Sequence, residues 1–274
     1  MERDVFGAIR GYLLARQGFG MDVAFRVAAE GAVPNNEPHR AEREIVVLTS
    51  PVIEREPGIR VTSGERGIEQ ASLFGESAKE ARCDLAKLDL AALDTLVSKC
   101  ERCGLAGSRT RTVFGSGDSA ARIVFIGEAP GREEDLQGLP FVGRAGQLLT
   151  KMLAAIGFTR DEVYITNILK CRPPGNREPQ ENEMAACESY LVRQLELISP
   201  VIICALGRIA AHGLLRSGAS LGTLRQGVHY YNDVPVAVTY HPAALLRNPN
   251  LKRDAWEDLQ TMRKLYDEAI REGK

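Results

Sequence analysis

Past residue 120 the chain alternates between two kinds of apolar pattern. Four short, β-branched, nearly continuous runs, "RIVFIG" (122–127), "VYITNI" (163–168), "VIICALG" (201–207) and "PVAVTY" (235–240), read as parallel strands covered on both faces. Between them, "AGQLLTKMLAAIG", "NEMAACESYLVRQLELI" and "RIAAHGLLR" place apolar residues at helical spacing, the first stopped by Gly157 and the second before Pro200. This alternation predicts an α/β fold: a three-layer α/β/α sandwich around a central, mainly parallel four-stranded sheet. Ligands of such sheets bind beyond the carboxyl ends of the strands, so the loops after "VFIG", "YITN" and "VTY" are where chemistry should sit.

The pattern before residue 81 is different. Val5, Ile9, Tyr12 and Leu13 share one helical face, predicting an amphipathic helix segment within residues 1–30. Residues 31–80 carry Pro34, Pro38, Pro51 and Pro57 in a charged stretch whose one apolar cluster, "IVVL", is too little for a core. That stretch reads as a linker, mostly disordered, ahead of a folded domain over 81–274. Arg, Asp and Glu interrupt the first thirty residues, so no signal or transit peptide is expected there. No apolar run approaches the roughly 18 residues of a membrane span. A soluble, cytoplasmic, monomeric protein without a membrane partner is the expectation.

A hydrophobic content of 44% over 274 residues suffices for one full α/β core. The net charge of -1 gives no overall sign of a polyanion partner. Locally the balance shifts: between Leu197 and Leu251 the only acid is Asp233, against Arg208, Arg216, Arg225 and Arg247.

Six cysteines in a chain of this class point to metal or packing roles rather than to disulfides. Cys204, inside an apolar strand, reads as a small core hydrophobe, and Cys83 has no evident partner. Cys100 and Cys103 form C-x2-C, and Cys171 and Cys187 flank the loop "CRPPGNREPQENEMAAC". Four thiolates suit tetrahedral zinc or a [4Fe-4S] cluster equally, and spacing does not separate the two.

Four further segments carry candidate chemistry. "GEAPGREED" (127–135) leaves the first strand as a loop whose backbone amides can face a ligand, with Glu133, Glu134 and Asp135 following Glu128 in it. Phe141, between Pro140 and Val142, is either a stacking ring or a core anchor. Asn167 ends its strand as either a turn former or a carboxamide matched to an imide edge. "HPAALLRNP" (241–249) follows the last strand directly, and its histidine suits a pH switch, a metal ligand, a leaving-group polariser or a core position.

Taken together, "GEAPG", "PFVGRAGQLL", "TNILKCRPPGNR", the four-cysteine set and "HPAALLRNP" resemble the family 4, iron-sulfur uracil-DNA glycosylases, from about Leu96 to Leu265. The resemblance implies a DNA-repair enzyme that flips uracil out of DNA and hydrolyses its N-glycosidic bond, with 81–274 as the catalytic domain. It implies that Cys100, Cys103, Cys171 and Cys187 hold a structural [4Fe-4S] cluster, that Phe141 stacks on the base and that Asn167 reads its edge. His241 should stabilise the charge that develops on uracil, Leu245 and Leu246 should wedge into the duplex, and Arg247 should hold the distorted backbone.

Two positions depart from the best-known branch of the wider superfamily. Where that branch has an aspartate assisting the water, this chain has Ala129, so Gly127 and Glu128 are expected to hold the water instead. Where it has a tyrosine excluding thymine, this chain has Gly131, and Glu134 is the candidate for barring the C5 methyl. The rival readings are a non-catalytic or covalent-trapping relative on the same fold and a zinc-binding nucleic-acid protein; the lack of a basic insert with a histidine after "TNILK" argues against trapping.

Overall fold

The computed structural model describes residues 85–273, together with the backbone of residues 60–61. The helix expected within 1–30, Cys83 and all of the 31–80 linker but residues 60–61 lie outside the described residues. The described residues form one seven-stranded sheet. Its strands are β1 (Arg60–Val61), β2 (Ser116–Gly117), β3 (Ile123–Gly127), β4 (Tyr164–Asn167), β5 (Ile202–Leu206), β6 (His229–Tyr231) and β7 (Val234–Thr239), in the order β1-β6-β7-β5-β3-β4-β2.

The four expected strands are the adjacent, mutually parallel β7, β5, β3 and β4. The other three flank them: β2 forms one edge, antiparallel to β4, while β6 pairs antiparallel with β7 and carries β1, parallel to it, at the opposite edge. At two or three residues each they are too short to leave a periodic signature.

The helices are α1 (Leu90–Ser98), α2 (Arg132–Gln137), α3 (Arg144–Ala155), α4 (Glu181–Ile198), α5 (Arg208–Leu215), α6 (Leu221–Arg225), α7 (Pro242–Arg247) and α8 (Lys252–Arg271). Strand residues alternate between the two outer layers. Ile123 and Phe125 pack with Leu149, Met152 and Leu153 of α3 and with Leu259 and Met262 of α8. Val124 and Ile126 turn the other way, toward Leu191 and Leu195 of α4 and Leu214 of α5. Burying each such leucine or isoleucine stabilises the fold by about 1.5–3 kcal/mol. Both sets are continuous, so the sheet is covered on both faces, as its unbroken apolar runs require.

Helix boundaries follow local chemistry. Asp89 caps α1 by accepting the Ala92 N–H at 2.8 Å. Gln180 and Glu183 cap α4, which ends at Ser199 in the left-handed region just before Pro200. The chain passes from β3 to β4 on one side and returns to β5 on the other side of β3, which opens a crevice at the carboxyl ends of the strands.

Candidate active site

The crevice is a cleft of about 430 Å³ whose walls are the loops after β3, β4 and β7, the three loops picked out by the strand pattern. Glu128, Ala129 and Glu134 enter it from the first, Asn167 from the second, and His241 and Arg247 from the third.

Asn167 ends β4, 1% exposed, and its Oδ1 is buried with no hydrogen-bond partner among the described residues. An orphaned buried acceptor costs about 1–3 kcal/mol, which a ligand donor can return. Gly127 is its register partner on β3. A Cβ on Gly127 would run into Asn167 Oδ1 and lie 2.6 Å from the Phe141 ring, so glycine is what lets amide and ring share one space. Phe141 lines the cleft and, 6% exposed, also belongs to the core, a position that suits either reading left open for it.

His241 is the N-cap of α7. Its Nδ1 accepts the Ala243 N–H at 3.1 Å, which puts the ring proton on Nε2. Burial, and then the nearby Arg247 charge, push the imidazole down to about 4, with Glu134 pulling the other way. The ring is therefore neutral at physiological pH and offers one donor. Its centroid lies 5.5 Å from that of Phe141.

Burial, followed by the charge of Glu178, raises the Glu128 carboxyl above its usual range, while Arg208 and Arg247 lower it. Glu133, Glu134 and Asp135 are not loop residues: they form the first turn of α2, where carboxylates complement the helix dipole. Asp135 turns inward and accepts the Thr110 N–H at 2.8 Å. Glu134 Oε1 accepts from Val142 N and Gly143 N, both at 2.9 Å, and Oε2 sits 2.7 Å from where a side chain at Gly131 would begin. A carboxylate thus fills the volume that a side chain at 131 would take.

The nonapeptide needs one correction. Leu245 is 0% exposed and packs in the core beside α3, because α7 turns that face inward, so it is not available to enter a duplex. Leu246, 39% exposed, points outward. The basic stripe is also largely neutralised: Arg208 pairs with Glu178, Arg216 with Glu188 and Arg225 with Asp258.

Cys100, Cys103, Cys171 and Cys187 line one cavity, together with Arg109 and Lys170. Arg109 Nη1 donates to Cys171 Sγ at 3.4 Å and to the Cys100 carbonyl at 2.7 Å. Burial pushes the Cys187 thiol up to about 11, opposed by the charge of Lys170. No three His, Cys, Asp or Glu side chains among the described residues are placed to hold a single metal ion. Cys204 is a buried core residue, as its strand setting implied.

Several supports had no signal in the sequence. Lys170, 1% exposed, donates to Thr166 Oγ1 at 2.6 Å and to the Asn167 carbonyl at 2.8 Å, bracing the strand end that presents the amide. Behind His241, Arg225 pairs with Asp258, stacks on Tyr240 at 4.1 Å and donates to its hydroxyl at 3.0 Å, while Thr239 donates to Asp258 at 2.8 Å. The contacts of Arg225 and Asp258 join residues 15 to 33 positions apart in the chain.

The Uracil DNA glycosylase superfamily matches residues 114–260. A "Type-4 uracil-DNA glycosylase" of Archaeoglobus fulgidus is 45% identical over 185 residues, 64% of this chain and 93% of that protein. Another of that name, from Thermotoga maritima, is 45% identical over 168 residues, 60% of this chain and 88% of its own length. A "Type-5 uracil-DNA glycosylase" of Pyrobaculum aerophilum is 35% identical over 146 residues, 47% of this chain and 64% of that protein. With the cleft built by the same segments that carry the motifs, this chain belongs to the type-4 branch of the Uracil DNA glycosylase superfamily.

Proposed function

We propose that the chain excises uracil from DNA by hydrolysing the N-glycosidic bond, which releases the free base and leaves an abasic site. The observation that carries this reading is the buried, unpartnered Asn167 Oδ1 beside the Phe141 ring. An extruded uracil offers an imide N–H to that oxygen and a carbonyl oxygen to the amide nitrogen, with its flat face on the ring. Cytosine, with an unprotonated ring nitrogen at that position, leaves the oxygen unmatched.

As the glycosidic bond stretches, negative charge collects on the uracil oxygen near the sugar. The neutral His241 Nε2–H donates to that oxygen, a bond that strengthens as the charge grows. The sugar cation is then captured by a water held by Gly127 and Glu128. The raised carboxyl of Glu128 makes it a better proton acceptor than an ordinary carboxylate. Glu134, in the volume beside Gly131, is the group that bars a C5 methyl. Leu246 fills the gap in the duplex and Arg247 holds the bent backbone. Lys170 is buried behind Thr166 and Asn167 and does not line the cleft, so no lysine among the described residues is placed to form a Schiff base there and the abasic strand stays intact.

The four cysteines suit a [4Fe-4S] cluster. They converge from three segments on one cavity that is also lined by the cations Arg102, Arg109 and Lys170, which match an anionic centre. When bound, the cluster supplies a structural tie. Cys171 directly follows Lys170, so that tie holds the loop carrying Asn167. We further assign 81–274 as the catalytic unit of a monomer. No helix among the described residues is long and apolar enough to cross a membrane.

The test is to incubate the full chain with a duplex carrying one uracil. The expected products are free uracil and an alkali-labile, uncleaved strand. A cut strand, or no released base, would overturn the assignment.

A further inference from the structure

We propose that Arg160 is a positioning residue that sets the Phe141 ring in register with Asn167, an inference that rests on reading Phe141 as the ring under the base. Phe141 has φ 53°, in the left-handed region. A bulky non-glycine residue stays there only when its surroundings over-determine it.

Those surroundings form a clamp. From one side, the Arg160 guanidinium donates through Nη1 to the Phe141 carbonyl at 3.2 Å and through Nη2 to the Pro140 carbonyl at 2.8 Å. A planar fork gripping two successive carbonyls fixes the orientation of the peptide between them. From the other side, Glu134 Oε1 takes the next two amides, Val142 N and Gly143 N. Beneath, Gly146 of α3 lies so close to the Phe141 carbonyl that a Cβ there would overlap it.

The origin of Arg160 matters as much as its bonds. It stands on the turn Arg160–Glu162, which Thr159 caps through Glu162 and which leads directly into β4. Asn167 is the last residue of that same strand. One short element therefore grips the backbone that carries the stacking ring at its start and presents the reading amide at its end. Loss of the guanidinium frees the 140–141 peptide to leave the left-handed region, and the ring shifts away from the amide. His241, carried by a different loop, stays in place. Arg160 should thus govern base affinity through Phe141 and leave the chemical step largely intact.

The experiment is a double-mutant cycle on the full chain, reading inhibition by free uracil, single-turnover rate at saturating enzyme and melting temperature. The variants are Arg160→Met, Phe141→Ala and both together. Arg160→Met should weaken uracil inhibition about tenfold, within the range that strain at one such residue spans, with a much smaller change in the saturated rate. In the Phe141→Ala background the same substitution should add nothing. Equal losses in both backgrounds, or unchanged uracil inhibition in Arg160→Met, would overturn the proposal alone. Unchanged inhibition in Phe141→Ala would overturn the stacking reading and the proposal with it. Should Arg160→Met not fold, Arg160→Lys decides: it keeps the charge but not the fork, so a partial loss of inhibition at near wild-type melting temperature is expected, and full retention contradicts the clamp.

Discussion

Gly127 and Asn167 stand opposite each other at the ends of β3 and β4, and the absence of a side chain on the first leaves the amide of the second facing the Phe141 ring. A Cβ at 127 has nowhere to go, since its neighbours are a buried amide and a ring 6% exposed. Gly127→Ala should raise the inhibition constant for free uracil by roughly 10–100-fold, the scale of about 1–3 kcal/mol for overpacking. Wild-type uracil inhibition in this variant would mean that the base does not lie between these groups.

His241 makes a catalytic and a pH-dependent prediction. His241→Asn should lower single-turnover excision by roughly 10²–10³, the loss typical of one oxyanion donor, with little change in DNA affinity. Its folded-state pKa of about 4 lies below the ordinary 6.5, so folding favours the neutral ring. Between these values the unfolded chain binds a proton that the folded chain does not. The contribution of His241 to stability is therefore complete above the higher value and is lost as pH falls toward the lower. Denaturant midpoints taken near neutrality and in mild acid should fall less for His241→Asn than for wild type; equal drops would place the histidine outside the buried cleft.

The two neighbouring leucines should separate by phenotype. Leu245→Ala removes a fully buried side chain and should cost about 2–5 kcal/mol of stability. Leu246→Ala should leave the melting temperature nearly unchanged. It should slow excision from duplex DNA roughly tenfold, a part of the few kcal/mol that unstacking a base step costs, and slow excision from single strands far less. Equal slowing on both substrates would remove the wedge role.

The cysteine cavity predicts a visible colour. Protein prepared without oxygen should contain iron and sulfide and absorb broadly toward the blue, and Cys171→Ser should lose that absorbance and melt at lower temperature. A colourless, iron-free preparation of full activity would contradict the cluster.

The parts of this molecule written locally were legible. The four apolar runs are the four parallel strands, and the positions of Gly127, Asn167 and His241 at strand ends follow from that pattern alone. Phe141 was legible as an aromatic in the right loop, but its left-handed backbone was not, because the clamp comes from Arg160, nineteen residues on. The same limit hid the pairing of Arg225 with Asp258, 33 residues on, whereas Lys170 was hidden by its burial: its partners Thr166 and Asn167 are local, but a lysine reads as exposed in the sequence. Helix α8 has only a thin buried stripe, Ala255, Leu259, Met262 and Ala269, among many charges, so its sequence does not announce it. Leu245 misled for a different reason: a six-residue helix is too short to reveal which face it buries.

Uracil reading by Asn167 is decided by the base released in single turnover by wild type and by Asn167→Asp from matched duplexes carrying one uracil or one target cytosine. Uracil reading rests on the amide at the end of β4, which pairs one acceptor and one donor with an imide edge. A carboxylate there replaces the donor with a second acceptor, which faces an exocyclic amine better than a carbonyl. Wild type should release uracil and no cytosine, while Asn167→Asp should lose most uracil release and gain slow release of cytosine. An Asn167→Asp variant that releases uracil at the wild-type rate would contradict the account, because the residue placed at the centre of recognition would then be reading nothing.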